Sequence, residues 1–121
     1  MRPLIRNPLA QTLLAAALAA ASLAAQAFPN QPVTIVVPYA AGGSTDVLAR
    51  VLAEAMTRDL GQQVIVENLG GAGGTIGTSR VTRAQADGHT LLLHNMGIAT
   101  APALYSKLAF DVRRDLEPIA L

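Results

Sequence analysis

Two kinds of apolar run alternate along the chain, and each is followed by a stretch almost without side chains. Val33 to Val37 (VTIVV) is a β-branched run of the length of a buried strand. Pro38 ends it, because proline brings no N–H to a sheet ladder. Ala40, Ala41, Gly42 and Gly43 make a bare turn, and Ser44, Thr45 and Asp46 suit the start of a helix. Leu48, Val51, Leu52, Ala55, Met56 and Leu60 then recur at helical spacing, which predicts that this stripe packs on the sheet, and Gly61 closes the helix. The pattern repeats. Gln63 to Glu67 is a second strand, Asn68 to Gly77 (NLGGAGGTIG) a second glycine turn, and a helix starts near Gly74 or Thr75. Ile76, Val81 and Ala84 should face inward from that helix, with Arg80 and Arg83 outward. Asp87-Gly88 makes a turn, and Thr90 to His94 is a third strand.

After strand three, Asn95 to Thr100 leads into a short helix around Ala101 to Tyr105, with Thr100 as its expected N-cap. Phe110 to Leu116 reads as an irregular charged connection, and Pro118 to Leu121 as the opening of a fourth strand. The order β-α-β-α-β with short turns predicts an α/β fold with a parallel, doubly wound sheet. Right-handed crossovers place strand 1 between strands 2 and 3. All three turns then share the carboxyl edge of the sheet, where open α/β sheets hold ligands.

Composition changes the picture at one end. Arg2 and Arg6, an Ala/Leu run from Thr12 to Ala21, and Ala25-Gln26-Ala27 form the three-part layout of a secretory signal peptide, with cleavage after Ala27. The apolar core is shorter than the ~20 residues of a membrane span. Without the two leader arginines the formal charge falls from +1 to −1. The remaining charges form no basic stripe with aromatics, so nucleic-acid binding is not expected. The chain has no cysteine, which excludes disulfides and a lipoprotein anchor.

Each glycine turn has a bland alternative, a tight βα connection in which glycine serves only backbone geometry. The functional reading is a small-anion cradle of helix N-termini and free amides. It draws on Tyr39, Ala41, Gly42, Gly43, Ser44, Thr45 and Asp46 from the first turn. Asp46 also has a simpler role, as a first-turn carboxylate favoured by the helix dipole. The second turn would contribute Gly73, Gly74, Thr75 and Ile76, and the end of strand 3 His94 and Asn95. Neither nucleotide motif fits the second turn: G-x-G-x-x-G needs glycine at Ile76, and a P-loop needs a Lys-Ser/Thr pair. His89 and His94 lie in different turns with no carboxylate cluster, so no metal site is expected. No cofactor is called for. The alternative function is a secreted serine hydrolase using Ser44, since Gly42 to Asp46 is one residue from G-x-S-x-G. Against it, Asp46 replaces the final glycine and His94 comes too early in the chain.

The motifs FPNQPVTIVVPYAAGGSTDVLARVLAEAM, LGQQVIVENLGGAGGTIGTSRV, ADGHTLLLHN and ALYSKLAFDVRRDLEPIAL, in this order, closely resemble the periplasmic solute-binding receptors of tripartite tricarboxylate transporters, the Bug-type receptors. The resemblance implies a type II periplasmic binding protein (Venus-flytrap) fold, and a binding protein, not an enzyme. It implies a small carboxylate ligand (a di- or tricarboxylate, an amino acid or an aromatic acid) held in the interdomain cleft by backbone amides and hydroxyls. It also implies membrane transporter subunits as partners and a periplasmic location. Ser44 departs from the pattern, standing where relatives often carry glycine or another small residue. Because family members have a second lobe, residues 28–121 are expected to be an incomplete N-terminal lobe, too small and too uncovered for firm stability or ligand affinity by itself.

Overall fold

A computed structural model describes residues 28–120; the leader reading falls outside them. From Gln31 onward the chain forms one compact unit. Its elements are β1 (Val33–Val37), α1 (Ser44–Leu60), β2 (Val64–Asn68), a single 3-10 turn (Ala72–Gly74), α2 (Thr75–Thr82), β3 (Thr90–Leu92) and α3 (Gly97–Leu104). The three strands are parallel in the order β2-β1-β3, as right-handed crossovers require. Val33 pairs with Val64 and Val37 with Asn68 on one side of β1, and Ile35 pairs with Leu91 on the other. Central in the sheet, β1 is the most buried element: Val33, Ile35, Val36 and Val37 are all at most 1% exposed. Its side chains alternate between faces. Val33, Ile35 and Val37 form the core with Ala49 and Ala53 of α1 and with Val64. Among the described residues no helix is long and apolar enough to cross a membrane.

Of the bulky stripe expected on α1, only its C-terminal members Met56 and Leu60 meet the sheet. Asp46, Ala49 and Ala53 are buried, with Met56 and Leu60 packed beside them, at spacings of three and four residues. Val47, Leu48, Val51 and Leu52 are instead 56, 59, 63 and 40% exposed. The reason is steric: alanine lets the helix backbone approach β1, whereas leucine would hold it away. Gly61, at φ 65°, ends the helix by donating its N–H to Thr57 C=O.

Three further expectations change. Ile76 is 51% exposed, and α2 instead buries Gly77 and Thr78, whose hydroxyl donates to Gly74 C=O at 2.8 Å. Gly77 replaces bulk at the point where α2 crosses the Pro38 backbone. The third helix begins earlier than predicted, with Met96 and not Thr100 at its N-cap position, and Asn95 leads into it through a turn in which its Oδ1 accepts the Gly97 N–H at 2.8 Å. The Thr100 hydroxyl bonds back to Gly97 C=O within α3. Pro118 to Ala120 form no strand; a strand exists only through its ladder, and none is made here. The charged connection before them closes a turn through Asp111 and Asp115, with Asp115 accepting the Asp111 N–H at 2.8 Å.

Candidate functional site

Parallel strands place the ends of β1, β2 and β3 at one edge, so the turns that follow them meet. Asn68, at the end of β2, ties the first two turns together. Its side chain donates to Tyr39 C=O at 3.3 Å and accepts from the Arg50 guanidinium at 3.3 Å. Gly70 lies so close to the first turn that a Cβ there would sit 3.5 Å from Ala40 N.

The first intrahelical bond of α1 runs from Val47 N–H to Gly43 C=O. The amides of Ser44, Thr45 and Asp46 therefore have no intrahelical acceptor. Asp46 is 2% exposed, and its carboxylate accepts from the Gly42 N–H at 2.8 Å and the Arg50 Nε at 3.1 Å. Arg50, the Gly42 amide and the Asn68 side chain together hold its pKa down at about 2. Asp46 thus organises the turn from within, and it cancels the charge of the nearest arginine.

The third turn brings the aromatic groups together. The Tyr39 hydroxyl donates to Asn95 Oδ1 at 2.7 Å and lies 3.1 Å from His94 Nδ1, the two rings meeting edge to face with centroids 5.2 Å apart. His94 Nδ1 is also 2.9 Å from Asn95 C=O. A carbonyl only accepts, so Nδ1 carries the proton and also donates to the Tyr39 oxygen. Burial lowers the His94 pKa, which keeps the ring neutral near pH 7, and raises that of Tyr39. The direction of every bond in this network is then fixed. Asn95 Oδ1 accepts twice, from Tyr39 O–H and Gly97 N–H, so its exposed NH₂ group remains as a pure donor.

Among the expected site residues, Tyr39, His94 and Asn95 form one hydrogen-bonded cluster, joined by Gly74. A Cβ at Gly74 would come 2.9 Å from His94 Nε2, and its φ of 93° suits glycine alone. Gly73 faces the Tyr105 hydroxyl. Ala41, Gly42, Gly43 and Ser44 are exposed along the first turn, with Thr45 half-buried beside them. Thr75 and Ile76 instead line a separate groove on the outer side of α2. Sequence reasoning missed Tyr105 and Gly97. Tyr105 follows α3 at a distance in the chain that only the fold closes, but the lone glycine at the start of that helix was a signal for Gly97.

The tripartite tricarboxylate transporter family receptor model matches residues 48–121, more than half of the chain. The chain belongs to this receptor family. A UPF0065 protein from the TAR-I ttuE-ttuC' intergenic region of Agrobacterium vitis is 50% identical over 95 residues, covering 78% of this chain and 28% of the relative. The solved structure of the periplasmic binding protein BugD is 59% identical, with a TM-score of 0.64 over 65% of this chain and 26% of that one. MatC from Rhodopseudomonas palustris, solved with bound malate, is 46% identical, with a TM-score of 0.69 over 73% and 30%. The chain thus spans less than a third of the length of each of these relatives. The family is one of receptors, not enzymes. His94, which the hydrolase alternative would pair with Ser44, is bonded to Tyr39 and Asn95.

Proposed function

We propose that this chain supplies one wall of a periplasmic receptor that captures a small carboxylate and delivers it to membrane subunits of a tripartite tricarboxylate transporter. The leader, cleaved after Ala27, would direct it to the periplasm. The carrying observation is the fixed hydrogen-bond direction at the sheet edge. Asn95 presents only donors there, and the first turn of α1 adds amides with the positive end of a 17-residue helix behind them. Malate bound to MatC supports a dicarboxylate as the ligand class. The binding step forms no covalent bond: oriented N–H groups replace the water around a carboxylate and release it on opening.

Half a grip should bind weakly. One or two charge-assisted hydrogen bonds of about 1.5–3 kcal/mol each sum to about 1.5–6 kcal/mol, a Kd between roughly 0.1 M and 0.04 mM. The test is nitrogen-15 NMR of the 121-residue chain titrated with malate. The Asn95 side-chain NH₂ and the Ser44 to Asp46 amides should shift together. In Asn95→Asp, which replaces the donor by a repelling carboxylate, the shifts should vanish while the fold is kept. Unmoved site resonances at tens of millimolar malate, or shifts confined to other surfaces, would refute the reading.

A further inference from the structure

The outer side of α2 carries a second surface that the solute site does not use. Seven basic side chains lie in the described residues, and three of them form ion pairs: Arg50 with Asp46, Arg58 with Glu54 and Arg114 with Asp115. The other four are Arg80, Arg83, Lys107 and Arg113. Three of these, Arg80, Arg83 and Lys107, line one open groove of about 540 Å³ between α2 and the segment after Tyr105. Its apolar lining includes Leu69 and Ile76, the latter 51% exposed. In its wall the Ser79 hydroxyl is shielded from solvent and has no hydrogen-bond partner among the described residues. Concentrating cations without carboxylates costs Coulomb repulsion, and an unsatisfied buried hydroxyl costs more. The Coulomb cost falls when a chain of acceptors occupies the groove.

We propose that this groove docks an extended acidic segment of a partner protein. A small anion suits it less well. The cations are spread along an open channel instead of converging, and their long, exposed side chains reach carboxylates at several points. Arg80, in the last turn of α2, and Arg83, its C-cap residue, stand three residues apart, about one helical turn. An extended segment places every second side chain on the same side, about 7 Å apart. Glutamates at alternate positions can therefore meet the two arginines and Lys107. The inference holds whichever solute the sheet edge captures.

The experiment uses the 121-residue chain and a pentapeptide alternating glutamate and leucine, blocked at both ends and carrying a neutral fluorophore, followed by anisotropy. Binding is expected in low salt, weakening as salt rises. Three exposed ion pairs predict a loss of about 10-fold in the triple variant Arg80→Gln, Arg83→Gln, Lys107→Gln. Arg113→Gln removes the one cation of the four outside the groove and should stay within about 2-fold of the native chain. Circular dichroism confirms that each variant is folded. Absence of binding, equal binding by the triple variant, or an equal loss in Arg113→Gln overturns the proposal. Displacement of the peptide by equimolar citrate also overturns it, since that behaviour belongs to a small-anion site.

Discussion

Gly77 is where the fold sets the spacing between the first two turns, and Gly77→Ala tests that spacing directly. A Cβ there would lie 2.6 Å from Leu69 O, 2.8 Å from Pro38 Cβ and 2.9 Å from Pro38 Cα. Carbon atoms in contact prefer about 3.5–4.0 Å. None of the three neighbours is a flexible tip. Leu69 is pinned by its N–H to Val37 C=O at 2.8 Å, and Pro38 is buried at the end of the central strand. Overpacking of this kind costs about 1–3 kcal/mol. Alanine returns up to about 1 kcal/mol through its better helix propensity. The net loss is about 1–2 kcal/mol, which in a unit of this size lowers Tm by about 4–16 °C. Thermal unfolding by circular dichroism measures it, with Gly61→Ala as the comparison. Gly61 has nothing within 4 Å of a Cβ, so its variant bears only the cost of a left-handed backbone. Gly77→Ala should also shift the Tyr39 and His94 ring resonances, which Gly61→Ala should leave in place. A Gly77→Ala protein as stable as the native chain, with unmoved rings, would show that α2 does not ride on Pro38 at contact distance.

The buried Asp46 carries a pH dependence of known sign. Its folded pKa is about 2 against an ordinary 3.8, so its stabilisation is complete above pH 4 and is lost as pH falls towards 2. Asp46→Asn should flatten the stability curve within that window, and equal acid slopes in the two proteins would contradict the assignment. The outward face of α1 predicts self-association. Val51→Lys with Leu52→Glu removes two large apolar groups, 63 and 40% exposed, without touching Ala49 or Ala53. Light scattering should fall while Tm stays within a few degrees, and unchanged scattering would show that this face is not the sticky one.

What the sequence revealed was whatever rests on backbone rules. The VTIVV run, ended by Pro38, occupies β1 residue for residue, and the glycine turns lie at one edge because parallel connections leave them no other. Hidden from it was whatever depends on which of two acceptable faces a helix turns inward. In α1 a bulky stripe and an alanine stripe both repeat at helical spacing, and bulk is normally the better guide. The alanines face inward because β1 demands close approach, a property of the partner and not of the helix. The site divides in the same way. Tyr39, Gly74, His94 and Asn95 could be placed from their positions after strands, whereas Tyr105 meets Gly73 through a contact that no spacing encodes. The direction of the Asn95 amide needed the Tyr39 and Gly97 bonds to be seen together.

The carboxylate proposed at the sheet edge and the acidic segment proposed in the α2 groove would be held by different physics, and salt should separate them. At the edge, Arg50 is cancelled by Asp46, so attraction comes from N–H groups at contact distance and from a helix dipole. In the groove it comes from whole charges on flexible, exposed side chains. Raising ionic strength from about 20 to 200 mM shortens the Debye length from roughly 20 to 7 Å. That change removes most of the attraction between exposed point charges, while hydrogen bonds at about 2.9 Å are screened far less. Peptide anisotropy should therefore collapse across this range, while the malate-induced shift of the Asn95 NH₂ falls by no more than about 2-fold. Should both signals fade in parallel, the edge would be acting through net charge alone, and the oriented donors of Asn95 and α1 would not be what holds the carboxylate.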